Sequence, residues 1–279
     1  MRAEREFPAL PDWLRARQGT AAPARLRRFG SEASDLEIAF SQASHPVLMA
    51  RLLALCSCTA DGKPVLEQTV IDMPVGQQME ALLALADMSD ALPFSWGFQC
   101  AGSECRNENE FVLTAGELSA LADRFRGQET VEVPVASHLL TVRRPTGRDQ
   151  AEWLEAPQGI EAAAMLRRIV VSPPLEELEH DGLQLAEVEE AVDDAMDEFD
   201  PLPGFHMQVV CPECATISTT APQLTAAALQ RLAGAQEALL DEVHTIASRY
   251  HWSEAEILNM PGWRRQGYLE RIEAGEYMP

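Results

Sequence analysis

Lysine is all but missing from this chain: Lys63 is the only one, so nearly every positive charge is an arginine. Positive charge is itself scarce, with 22 Lys and Arg against 44 Asp and Glu and a formal net charge of −22. A chain this acidic repels phosphate backbones and anionic membranes, which argues against free nucleic acid as a partner. No run approaches the ~20 apolar residues of a membrane-spanning helix, so no membrane contact is expected. The first residues, Met1-Arg-Ala-Glu-Arg-Glu-Phe7, lack the apolar stretch of a secretory signal, and a cytoplasmic location is expected. Catalytic signatures are missing too: there is no GxSxG, HExxH, P-loop or GxGxxG pattern, and the histidines form no cluster in sequence. Enzyme is therefore not the leading class.

Cysteine is where the chain is informative. Four of its six cysteines fall into two pairs, Cys100–Cys105 and Cys211–Cys214, about a hundred residues apart. Each pair sits between an apolar approach and a strand-like exit: Phe94–Gln99 and Glu110–Leu113 around the first, Met207–Val210 and Ala215–Thr220 around the second. In a reducing cytosol such thiols favour a metal over disulfides. Two thiolate pairs in tight turns can close around one tetrahedral Zn²⁺ with Zn–S near ~2.3 Å, and four thiolates leave no open position, so the expected role is structural. Two alternatives stay open: a metal-free reduced knuckle, and a redox pair. The redox motif normally opens a helix after a strand, whereas the residues after Cys214 read as a strand. Cys56 and Cys58 follow an apolar helix and are expected to be buried structural thiols.

Along the chain, residues 1–34 carry seven arginines in their first thirty positions without apolar periodicity, and read as a flexible basic arm. Val47–Leu55 reads as a buried helix, Val65–Ile71 as a short strand, and 74–88 as a helix by the spacing of Met79, Leu82, Leu83 and Ala86. Thr114 and Glu117 form a capping box for a helix over Leu118–Phe125. Val131–Val135 and Leu139–Val142 suit a hairpin, Asp149 with Glu152 marks the start of a helix carrying Trp153, and 159–170 is expected to be helical. Residues 176–200 hold twelve acids and no Lys or Arg; the solvated helix face or linker is the plainer reading, a docking surface for a basic partner the sharper one. Leu175, Leu178, Leu185, Val188 and Val192 predict that part of it packs. Leu232, Leu239, Val243, Ile246 and Tyr250 trace one face of a long helix; Ser253 with Glu256, then Pro261, open two more. The expected fold is α+β, mostly helical, with small β-hairpins, a zinc-ribbon-like pair of cysteine knuckles and a carboxy-terminal helical segment. The expected division is 1–34, 35–221 and 222–279.

The block Leu239-Leu-Asp-Glu-Val-His-Thr-Ile-Ala-Ser-Arg-Tyr-His-Trp-Ser-Glu-Ala-Glu-Ile-Leu258, followed by Arg264-Arg265 and Tyr268-Leu269, carries a resemblance. It resembles the baseplate-hub assembly proteins of contractile-tailed bacteriophages and of related contractile injection systems. The Cys211-Pro-Glu-Cys214 knuckle precedes the block at the family's usual distance, and the similarity spans roughly residues 45–273. Two positions depart from the pattern: the first cysteine pair has a four-residue gap where two is usual, and Ala215 replaces the glycine that commonly follows the second pair. That is a position where a knuckle turn favours positive φ. The resemblance implies a non-enzymatic assembly factor or structural component of a baseplate hub, acting on hub or spike proteins in the cytoplasm or carried into the particle. Candidate partner-binding residues are Trp252, Trp263, Arg264, Arg265 and Tyr268, of types enriched at binding hot spots; for Trp252 and Tyr268 a core role is an equal reading. The competing classes are a zinc-ribbon module acting on nucleic acid or in transcription, and a CxxC redox protein.

Overall fold

The arginine-rich first segment is folded, not a flexible arm. In the computed structural model, which describes residues 4–41, 44–123, 126–156, 161–180 and 183–275, strand β1 (Glu4–Glu6), helix α1 (Asp12–Gln18) and strand β2 (Pro23–Arg27) begin the chain. Phe7, Leu10, Leu14, Leu26 and Phe29 are buried in the main core. They are spread over short elements of different period, so no single periodicity marks them in the sequence. The charges are anchored as well. Asp35 is fully buried and accepts from Arg27 Nη2 at 2.6 Å and from the Ser31 and Glu32 N–H groups at 2.9 and 3.0 Å.

Helix α2 (His45–Cys56), strand β3 (Ser57–Thr59), helix α3 (Glu67–Ile71) and helix α4 (Val75–Ser89) follow. Strands β1, β2 and β3 form an antiparallel sheet with β2 in the centre. Helices α2 and α4 are buried around most of their circumference; α2 is apolar but for His45 and Arg51, and α4 buries Gln77, Gln78 and Glu80 together with its apolar residues. The expected strand at Val65–Ile71 is replaced by the single-turn α3. Burial there falls on Val65 and Val70 instead of alternating, and the Thr69 N–H donates to the Leu66 carbonyl at 2.9 Å to close the turn.

Strands β4 (Phe94–Gln99) and β5 (Glu108–Leu113) pair as a hairpin that ends in the first cysteine pair. Trp96 stacks between Phe94 and Phe111, with ring centroids 5.9 and 5.7 Å apart. Helix α5 (Ala115–Ala122) starts at the Thr114–Glu117 capping box, which is formed in both directions. The expected end of this helix, at Phe125, lies outside the described residues.

A lobe with its own core comes next: strands β6 (Thr130–Val135) and β7 (His138–Arg143), helices α6 (Gly147–Glu155) and α7 (Ala162–Ile169), strand β8 (Val170–Ser172), and helices α8 (Leu175–His180) and α9 (Leu185–Phe199). The β6–β7 hairpin places Val131 opposite Val142 and Val133 opposite Leu140, and β8 adds to β7. Helix α6 begins earlier than Asp149 with Glu152 suggests: Thr146 is the cap, and Asp149 is the residue that reaches back to it. Of the helix expected over 159–170, residues 159–160 lie outside the described set. The acidic stretch contributes to two helices, α8 and α9, with Leu175, Leu178, Val188 and Val192 buried as the spacing predicts and Leu185 half-buried, while Glu187, Glu189, Glu190, Asp193, Asp194, Asp197 and Glu198 face solvent.

A second hairpin, β9 (Met207–Val210) and β10 (Ile217–Thr220), carries the second cysteine pair. Helix α10 (Leu224–Tyr250) then spans 27 residues, ~40 Å at 1.5 Å per residue. Its first half buries Leu224, Ala228, Leu229 and Leu232 in the main core. Its second half leaves that core, and Val243 and Ile246 meet Ile257 in a separate cluster built with helices α11 (Glu254–Leu258) and α12 (Gly262–Glu273). The fold is α+β and predominantly helical, with small antiparallel sheets and a helical carboxy-terminal part. Among the described residues no helix is long and apolar enough to cross a membrane.

Candidate metal centre

The two hairpins bring their tips together. The Sγ atoms of Cys100, Cys105, Cys211 and Cys214 all lie within 4.8 Å of one another. Contacts between the hairpins join Cys100 to Cys214 at 3.5 Å and Cys105 to Cys211 at 3.8 Å. A tetrahedron with ~2.3 Å metal–sulfur bonds has sulfur–sulfur edges of ~3.8 Å, so these four thiols can hold one metal ion. The separations are well beyond the ~2.05 Å of a disulfide, and all four cysteines are free.

The knuckles share a plan despite their different gaps. In each, the N–H of the first cysteine donates to the carbonyl two residues beyond the second: Cys100 to Asn107 and Cys211 to Thr216, both at 2.9 Å. In each, the residue after the second cysteine has positive φ, +46° at Arg106 and +60° at Ala215. Its N–H donates four residues back, from Arg106 to Gly102 at 3.2 Å and from Ala215 to Cys211 at 2.9 Å. Gly102 thus occupies the turn position that Cys211 holds in the second knuckle. The two additional residues of the wider gap set Cys100 ahead of a turn of unchanged size, with its sulfur still in the cluster. A Cβ on Gly102 would stand 3.1 Å from Thr216 Oγ1 and 3.4 Å from Cys100 Sγ, so a larger residue fits here only if the Thr216 side chain shifts by a few tenths of an ångström.

Backbone N–H groups surround the sulfurs. Gly102 donates to Cys100 at 3.3 Å. Cys105 receives Asn107, Cys211 receives Cys214 and Glu213, and Cys214 receives Thr216. In every case one donor comes from two residues downstream, and that contact favours thiolate over thiol; at Cys100 and Cys105 burial and the neighbouring sulfurs outweigh it, raising Cys100 and pushing Cys105 up to about 12. The Thr216 hydroxyl, then its N–H, then Cys100 bring the Cys214 thiol down to about 6. Cys211 is also lowered, chiefly by the Cys214 N–H. The hairpins meet outside the sulfurs too, where the Ala101 N–H donates to the buried Ser218 hydroxyl at 3.0 Å. Cys100 and Cys211 are buried, Cys105 half-buried and Cys214 exposed, so the cluster reaches solvent on one side.

Cys56 and Cys58 do not join the cluster. Burial pushes the Cys56 thiol up to about 12, as for an inert core residue, and Cys58 lies on β3. Among the described residues no other group of three or more metal-type side chains converges.

The candidate partner-binding residues divide. Trp252 stacks on Tyr250 at 4.8 Å and meets Tyr268 edge-on at 4.9 Å, so both Trp252 and Tyr268 help build the carboxy-terminal cluster. Arg265 is buried, 4% exposed, and donates to Glu242 Oε2 and to the Met260 carbonyl, each at 3.0 Å. It holds α12 against α10 and is not a surface residue, which corrects the expectation from sequence. Periodicity alone could have warned of this: Arg265 is three residues before Tyr268 and shares its inward face. Trp263, at 73% exposure, and Arg264 are the two that face outward. Comparison of the chain with family models, with curated proteins and with solved structures gives no match.

Proposed function

We propose that this protein is a non-enzymatic assembly factor or structural component for the baseplate hub of a contractile phage tail or related injection system, held in shape by one structural Zn²⁺ on Cys100, Cys105, Cys211 and Cys214. The observation that carries the reading is the carboxy-terminal block, whose family-like residues from Leu239 to Leu269 build one unit on the end of α10. Its inward residues make the cluster, and Trp263 and Arg264 are left for contact. Zinc fits the four-sulfur donor set because a soft, all-thiolate tetrahedron suits it, and no position is left for substrate. A redox use of Cys211 and Cys214 is less well supported, since each sulfur also meets one from the other knuckle and the chain after Cys214 runs into strand β10 instead of a helix.

The reading is tested in cells carrying a complete tail-gene cluster. Deleting this gene should leave sheath and tube without assembled baseplates under the electron microscope, and tagged protein should recover hub or spike proteins. Intact particles in the deletion strain would overturn it.

A further inference from the structure

The main core and the lobe that follows it meet around a cavity of about 610 Å³. Its floor is apolar and buried: Met49 on α2, Val75 and Met79 on α4, Leu202, and Leu224 at the start of α10. Trp153 on α6, Met165 on α7 and Phe205 stand around this floor, each half-buried. Gln150 and Thr225, also half-buried, add hydrogen-bonding groups without charge. We propose that this cavity binds an uncharged aromatic small molecule. Such a site stands whether or not the assembly reading does.

Size and charge select the ligand class. Pockets of ~300–1,000 Å³ with apolar walls and a few polar groups suit small molecules, and they favour junctions between packed units. Asp, Glu, Lys and Arg make up 24% of the chain, yet none of them lines this cavity. Two other large grooves differ. The one between the amino-terminal sheet and helices α2 and α3 carries Glu4, Arg25, Arg51 and Glu67, and the one beside Trp263 carries Arg27, Arg28, Glu32 and Arg265. A charged ligand entering the uncharged cavity loses hydration and gains no counter-charge, which disfavours it. An aromatic ring is favoured, because Trp153 and Phe205 offer ring contacts and the thioethers of Met49, Met79 and Met165 adapt to its outline. Leu154, at the mouth, is 65% exposed and leaves further apolar surface for the ligand to cover. Because α2 and α10 both begin at the cavity, an anion is the strongest competing ligand.

The test is a fluorescence titration of the full-length protein with two probes: uncharged phenylnaphthylamine, and anilinonaphthalenesulfonate, which has the same ring skeleton with an anionic sulfonate added. The uncharged probe should saturate at one site per chain, raise the melting temperature, and bind at least about tenfold tighter than the sulfonate. Leu154→Asp places a carboxylate at the mouth and should weaken the uncharged probe about tenfold, with near-ultraviolet circular dichroism unchanged. Leu66→Asp, at a leucine 66% exposed beside the charged groove of the amino-terminal sheet, should leave binding as it is. No saturable binding, equal or tighter binding of the sulfonate, or insensitivity to Leu154→Asp would overturn the proposal. So would recovery of hub proteins that is lost in Leu154→Asp while the uncharged probe fails to bind, a result that assigns the cavity to a partner's side chain.

Discussion

The hairpin head and the carboxy-terminal helical cap are both small units at the margin of the main core, and they are held by opposite means. The head places few apolar side chains inside: Val209 and Phe94 are buried, while Val210 and Ile217, paired across the second hairpin, are 61% and 59% exposed. Two-stranded sheets of this size are not stable alone in water; a metal on the four sulfurs at the tips, as proposed, would supply what burial does not. Among the described residues the cap has no such cluster. Val243, Ile246 and Ile257 are buried, three aromatic rings stack around them, and one ion pair, Arg265–Glu242, closes α12 on α10. A metal can substitute for a core only where the chain returns to the same point twice, as the two knuckles do.

This contrast is sharpest when the metal is removed. Chelation, or Cys211→Ser, should expose residues 94–113 and 207–220 to proteolysis and raise their amide exchange by orders of magnitude. Structural zinc contributes about 10 kcal/mol or more to small zinc-dependent folds. Residues 239–272 should keep their protection, as measured by hydrogen exchange with mass spectrometry; equal loss in both regions would break the comparison. The reciprocal change, Arg265→Ala, removes a buried cation from Glu242 and from the Met260 carbonyl. Because Glu242 is about one-third exposed, the cost should be about 2 kcal/mol, below that of fully buried pairs. It should appear in the cap alone, with metal content unchanged.

Acid separates the head from the main core by sign. Asp200 sits beneath α4, accepting the Gly76 N–H at 3.3 Å with Arg144 Nε 3.9 Å away, and burial raises its carboxyl from 3.8 to about 6. The native state therefore holds that proton more tightly than the unfolded chain. Stability from this group rises by about 1 kcal/mol as pH falls from 7 to 5, and Asp200→Asn should abolish the rise in a urea titration series. Over the same interval protons compete with metal for the thiolates, so the head should loosen while the core tightens. The smallest effect is at Ala215. Its φ of +60° costs an L-residue about 1 kcal/mol, so Ala215→Gly should stabilise the metal-bound head by no more than about that amount in thermal melts.

Local signals were the legible part of this chain. The Thr114–Glu117 and Ser253–Glu256 capping boxes, the β6–β7 hairpin and the inward face of α10 all follow from spacing over a few residues. The cysteine quartet was legible because thiol pairs are rare and chemically specific. What sequence hid was long-range. Phe7, Leu14 and Phe29 join the main core through separate short elements, and Asp35 is satisfied by Arg27 and by backbone of its own turn, so the segment looks unstructured until the fold assembles. Arg265 reads as a surface charge because its partner, Glu242, is 23 residues away on another helix. The wide first gap reads as a broken knuckle until Gly102 is seen in the turn position of Cys211.

The central claim is that the two knuckles form one four-sulfur metal site. X-ray absorption at the zinc edge, with metal content measured on the same purified protein, tests it most directly. The account predicts one zinc per chain with four sulfur neighbours at ~2.3 Å, and loss of the metal in Cys100→Ser. Metal-free protein with all four thiols reactive, or a zinc shell containing nitrogen or oxygen in place of a sulfur, would contradict it.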